Sequence, residues 1–258
     1  METMKTLELY KALTEIIPTT LSYEWDSDGL EVCPDLQKEV KRILISLDVT
    51  EEVIDKAVKE KYDVILAHHP LFFKGVDSLN AEVPQGRRAV KLIQGNVAIM
   101  TFHTRMDCVA DGVNDVLART IGLKDIETVY DGNEQIVRIG TLDSEMPAED
   151  FARLVKFALG ASCIQLTSCG KPAYKVAVLG GSGDSGIGTA MRAGADTYLT
   201  GDLKYHNLLC ANDVGMNIMT AGHFYTEFPV TSFLKEQAEK LCPDADVDIF
   251  FSDRIQII

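Results

Sequence analysis

Two histidines stand side by side where an apolar run ends, in VILAHHPLFF (Val64 to Phe73), and the whole chain of 258 residues has only five. His103 is followed four residues later by Asp107, and His223 four residues later by Glu227; the fifth, His206, comes shortly after Asp202. Imidazole and carboxylate are ligand types for divalent cations, and carboxylates can bridge two cations and offset their charge, which imidazole cannot do. The chemistry such a set would support is the binding of divalent metal ions.

A lone histidine at a strand end is more often packed or hydrogen-bonded than bound to a metal. Here five residues of ligand type fall at the ends of three expected strands, and that pattern favours a metal site. Adjacent side chains in a strand point to opposite faces, so His68 and His69 converge only if the chain has left extended geometry. Pro70 helps by holding His69 in the β or polyproline region and by supplying no donor to the ladder. Two imidazoles placed this way suit two neighbouring ions better than one. Asp107 and Glu227 are the candidate carboxylates. His103 is either a ligand or a residue that orients Asp107, and His206 is a helical histidine with a surface or cleft role.

The elements that would carry these residues alternate. Branched apolar runs KRILISLDVT, YDVILAHHP and VAIMTFH read as buried strands, separated by the helical patterns TEEVIDKAVKEK and GRRAVKLIQGN. Uniformly apolar strands alternating with helices indicate an α/β fold with largely parallel sheets. The helix GVNDVLARTIGL stops at Gly122, and DGNEQ, from Asp131, is a turn-rich break. A second α/β set follows through YKVAVLG, DTYLTGD and NIMTAGH. The terminal helix is expected over TEFPVTSFLKEQAEKL, with Thr226 as N-cap and Pro229 in its first turn, before a last strand VDIFFS. Two lobes are expected, residues 1–128 plus 218–258 and residues 129–217. The histidines then fall at the carboxyl ends of strands, where open α/β sheets hold their ligands.

Composition excludes several function classes. A formal charge of −14 with no Lys/Arg run argues against nucleic acid as a partner. No apolar run approaches the ~18 residues of a membrane span, and the N-terminus lacks the apolar core and small-residue cleavage site of a signal peptide. Six scattered cysteines with no C-x-x-C pair read as thiols of a cytoplasmic protein. GSGDSG (Gly181 to Gly186) matches the dinucleotide fingerprint literally, but Asp184 would set a negative charge where a pyrophosphate approaches. Asp184 also occupies the place of the second glycine in G-x-S-x-G around Ser182, and there is no Walker loop. Cys108 reads as a buried structural thiol.

WDSDGLEV, SLDVT, ILAHHPLFF, HTRMDCVADGVND, GGSG, TGDLKYH and AGHFYTE occur in this order from Trp25 onward. Together they resemble the Nif-three-like family, whose members carry the names GTP cyclohydrolase 1 type 2 homologue and dinuclear metal centre protein. The resemblance implies two α/β lobes with two divalent ions (zinc, iron or manganese) per subunit in the cleft between lobes, and a toroidal homohexamer built as a trimer of dimers. By motif, the metal ligands are His68, His69, Asp107, His223 and Glu227, while His103 and His206 lie near the metals as catalytic candidates. The implied activity is hydrolysis of a nucleotide such as GTP, or of a related phosphorylated compound. The alternative is a metal-binding chaperone or regulatory ring scaffold. The chain departs from the family pattern where Arg105 replaces asparagine in HTNLD and where WDSDGL replaces WDNVGL; Arg105 is expected to alter which anion sits beside the metals.

Overall fold

The strands follow the branched apolar runs closely. The computed structural model describes residues 3–76, 78–132 and 134–258. Among them run β1 (Leu30–Val32), β2 (Arg42–Ser46), β3 (Val64–Ala67), β4 (Ala98–Thr101), β5 (Lys124–Asp131), β6 (Glu134–Met146), β7 (Gln165–Thr167), β8 (Ala173–Ser182), β9 (Thr197–Asp202), β10 (Asn217–Thr220) and β11 (Asp246–Ile249). They form two sheets in a mixed α/β fold, and the chain divides into two compact units.

The first unit comprises Met1–Val109 and Thr231–Arg254. Its sheet has the order β1-β4-β3-β2-β11, parallel except for β1, which pairs antiparallel with β4. Leu44, Ile65 and Ile99 pack with Val53 and Ile54 of the helix Glu51–Lys59 and with Ala89 and Leu92 of the helix Pro84–Gly95. The alternate residues Ile43, Ile45, Val64 and Leu66 are equally buried, and the helix Thr231–Leu241 packs on β2 and β11. Burial on both faces explains why these strands are apolar throughout. Each fully buried Leu, Ile or Val contributes about 1.5–3 kcal/mol, which anchors the strand ends that matter below. Thr50 caps the helix after β2 by accepting from Val53 N at 3.3 Å.

The second unit comprises Ala110–Val230 and Ile255–Ile258. Its sheet runs β5-β6-β8-β9-β10-β7; β8, β9 and β10 are parallel neighbours, and the remaining joins are antiparallel. The sequence reading contains no β5. That strand is charged and largely exposed, and it pairs with β6 as a hairpin whose turn includes Gly132 at φ +61°. Asn133, in the expected DGNEQ turn, lies outside the described residues.

One expectation needs correction. The terminal helix does not begin at Thr226: a short helix His223–Glu227 comes first, then a 3₁₀ turn Phe228–Val230 containing Pro229, then the helix Thr231–Leu241. A proline offers no N–H to the turn before it, so the helix is interrupted there. Asp107 stands on a short helix, Thr104–Cys108. Among the described residues no helix is long and apolar enough to cross a membrane, and no two cysteines form a disulfide.

Candidate metal centre

In the first unit the parallel neighbours β2, β3 and β4 deliver their carboxyl ends to one sheet edge. Asp48 follows β2, His68 and His69 follow β3, and His103 follows β4. The amides of His68 and His69 both donate to Leu47 O, at 3.2 and 3.0 Å, so the chain has left the ladder and the two rings share one side. Their centroids are 4.8 Å apart, and His103 lies 5.3 Å from His68 and 5.6 Å from His69. A ring nitrogen of each of these three histidines lies within 4.8 Å of the others. Asp107 Oδ1 is 3.6 Å from His68 Nε2.

Each ring is oriented through its other nitrogen. His68 Nδ1 meets Phe102 O at 2.8 Å, His69 Nδ1 meets Asp48 Oδ1 at 2.8 Å, and His103 Nδ1 meets both oxygens of Asp26 at 3.1 Å. An acceptor at Nδ1 fixes the proton there and leaves the lone pair on Nε2, the tautomer of a metal ligand. Asp26 also accepts from Thr104 N at 3.0 Å and Thr104 Oγ1 at 2.6 Å. Burial pushes its carboxyl up, but the His103 and Thr104 hydrogen bonds outweigh that and hold it well below the usual carboxylate range.

The second unit repeats the arrangement with β8, β9 and β10. His223 begins the short helix after β10, and Glu227 stands one turn on, with His223 Nε2 3.2 Å from Glu227 Oε2. His223 Nδ1 meets Asp202 Oδ2, at the end of β9, at 2.7 Å. Gly181, at the end of β8, has φ +66°, and a Cβ there would collide with Glu227 Oε1. Gly181 N donates to Thr226 Oγ1 at 3.1 Å and Gly180 N to Asn114 Oδ1 at 2.7 Å, which locks the turn beneath the carboxylate.

The sequence profile of the Duf34/NIF3 (NGG1p interacting factor 3) family matches residues 4–256. The chain belongs to that family. A relative from Clostridium perfringens, named GTP cyclohydrolase 1 type 2 homolog, is 32% identical over 254 residues, covering 96% of each chain. One of the same name from Methanocaldococcus jannaschii is 30% identical, covering 97% of this chain and all of its own. Among solved structures, a Staphylococcus aureus hypothetical protein superposes with a TM-score of 0.90 at 27% identity over the full length of both chains. Reduced HcgD from Methanocaldococcus jannaschii superposes with a TM-score of 0.81 at 29% identity, covering 95% of this chain and 97% of its own.

The histidines that follow β3 and β4 form one group, and His223 with Glu227 forms a second. His206 is not part of either: it is exposed on the short helix Tyr205–Leu209, with its ring 5.9 Å from Tyr205, and belongs to no ligand group among the described residues. The expectation for Arg105 is overturned. It is fully buried, with Nε on Asp28 Oδ2 at 2.8 Å, Nη1 on Ile17 O at 3.1 Å and its guanidinium over Phe102, so it offers nothing to an anion beside a metal. In GSGDSG the first glycine lies inside β8, and a Cβ at Gly186 would strike the Tyr198 hydroxyl. Asp184 instead accepts from Lys204 N at 3.0 Å and Asn207 Nδ2 at 2.7 Å.

The residues that sequence reasoning missed are the acceptors Asp26, Asp48 and Asp202, together with Gly181. All four sit inside motifs already quoted, but only the fold shows what they touch. The donor set fits a divalent cation. With the ring proton on Nδ1, His68 Nε2 faces a carboxylate oxygen with its lone pair, and His223 Nε2 does the same toward Glu227. Imidazole nitrogens and carboxylate oxygens are the donor types a divalent cation takes.

Proposed function

We propose that this NIF3 family member is a two-metal hydrolase of a nucleotide or a related phosphorylated compound, with His68, His69, Asp107, His223 and Glu227 as ligands. The observation that supports the reading is the shared posture of His68, His69 and His223, whose Nδ1 atoms rest on fixed acceptors. Zinc, iron and manganese all suit a set of imidazoles and carboxylates. Bound divalent ions supply Lewis acidity, polarising a carbonyl or phosphoryl group and making water a nucleophile at neutral pH. Of the two histidines expected to move protons, His103 has the stronger support. Its Nδ1 proton rests on the buried Asp26 carboxylate, which stabilises the ring when Nε2 takes a second proton. His206 is kept as a proton carrier of the second unit. The nucleotide class comes from the names of the relatives. The cytoplasmic homohexamer, a trimer of dimers, comes from the family resemblance, and light scattering at six times the chain mass tests it.

The function is tested by measuring metal content and turnover of a panel of nucleotides and phosphoesters by wild type and by H69A and E227A. Bound metal with turnover that both substitutions abolish is expected. Metal-loaded wild type inert on the whole panel overturns the hydrolase and favours the chaperone or scaffold reading. Protein that takes up no metal overturns both.

A further inference from the structure

Trp25 is the chain's single tryptophan, and its side chain is 63% exposed; Phe73 is 54% exposed. Isolated exposed aromatics are ordinary on protein surfaces. These two differ because they meet the same imidazole. The Trp25 ring lies 6.0 Å from His103 at an interplanar angle of 77°, and the Phe73 ring lies 5.6 Å from it at 89°. Both are carried on backbone that is tied down. On the Trp25 side, Tyr23 N donates to Thr104 Oγ1 at 3.0 Å, and Asp26 and Asp28 hold the amides of Thr104 and His103. On the Phe73 side, Leu71 N and Phe72 N donate to Glu31 at 2.8 and 3.0 Å. The two segments are joined to each other by the Ser27 hydroxyl, which donates to Phe72 O.

Exposed rings on fixed backbone lose little freedom when something stacks on them, so the arrangement is pre-organised for a flat partner. Beside Phe73 a cavity of about 420 Å³ continues along Leu71, Val76 and Val83, a volume in the range that holds small molecules. Lys74 is the one charged residue among the described residues lining it, in a chain of net charge −14, and suits an anionic substituent.

We propose that Trp25 and Phe73 are a stacking platform for a planar heteroaromatic ring, a nucleobase with its sugar phosphate extending along the cavity past Lys74. The choice of a nucleobase rests on the nucleotide reading above; the platform itself rests on the rings and their tethers. Trp25 and Phe73 would set which compounds reach His103, through face-to-face contact that every purine can make.

The single tryptophan makes the test direct. Intrinsic fluorescence is titrated with GMP, guanosine and ribose 5-phosphate, in metal-loaded and in chelator-treated protein. Saturable quenching by GMP and guanosine, none by ribose 5-phosphate, and an affinity about tenfold weaker in F73A but retained in F73Y are expected. Because binding is read without turnover, quenching in protein that proves to hold no metal would leave the platform standing while the hydrolase reading falls. Ribose 5-phosphate binding as well as GMP, or F73A matching wild type, overturns the platform. So does an emission already shielded from acrylamide at concentrations where the chain self-associates, which would place a second copy over Trp25.

Discussion

Arg105 Nε donates to Asp28 Oδ2 at 2.8 Å, with the two side chains 0% and 4% exposed. Both fall in stretches noted above as departures from the motifs of the family resemblance, HTRMD for HTNLD and WDSDGL for WDNVGL, and they answer each other. Asp28 Oδ2 also accepts from His103 N at 2.7 Å, so the pair sits directly beneath one of the clustered histidines. Breaking a buried pair by removing one partner costs about 3–5 kcal/mol, whereas replacing both together is often close to neutral. D28V and R105N are each expected to lower stability by that order, and the double substitution D28V/R105N to recover most of the loss. Denaturant unfolding of all four proteins checks this, and additive losses would contradict it.

Glu31 gives stability a pH dependence. Burial pushes its carboxyl from 4.5 up to about 7, despite hydrogen bonds from Leu71 N, Phe72 N and Thr101 Oγ1. A pKa raised by folding means the folded state binds the proton more tightly. The stabilisation is therefore complete below the unfolded value of 4.5 and is lost as pH rises to about 7. The amount is on the order of 3 kcal/mol. Across that window E31Q should show a flatter stability profile than wild type; parallel profiles would remove Glu31 as the cause.

Asp48 would act on a bound metal only through His69, whose Nδ1 it meets at 2.8 Å. Removing an acceptor that orients a ligating histidine commonly costs about 10–100-fold in metal affinity. D48A is expected to lose affinity in that range with unchanged circular dichroism, and D48N, which keeps an oxygen at the same place, to lose less. Competition with a chelating dye measures both. Equal affinity of D48A and wild type would show that His69 does not depend on it.

Gly181 is placed for Glu227. A side chain there must adopt a left-handed backbone, which costs about 1–2 kcal/mol, and must push the Glu227 carboxylate aside. G181A should therefore lower the melting temperature and weaken metal binding together. Metal binding retained at wild-type strength in a folded G181A protein would contradict the placement.

The ligand-type residues were legible in the sequence because strand ends can be read from apolar runs, and His68, His69, His103 and His223 fall just beyond them. What orients them was not legible. Asp26, Asp48 and Asp202 lie 77, 21 and 21 residues from the histidines they hold, and no spacing rule connects them. The strand β5 escaped for a different reason: an edge strand that is charged and exposed lacks the apolar pattern that marks a buried one. Arg105 misled because a charged residue two positions before a candidate ligand suggests an anion contact. Its helix instead turns it inward, onto Asp28.

The most direct test of the metal centre is anomalous scattering from crystals of the protein purified without chelators, recorded at the manganese, iron and zinc edges. The proposed ligand set predicts anomalous peaks within bonding distance of the Nε2 atoms of His68, His69 and His223, with every Nδ1 still on its acceptor. Absence of any peak at these nitrogens, in the purified protein and after metal soaking, would contradict the account.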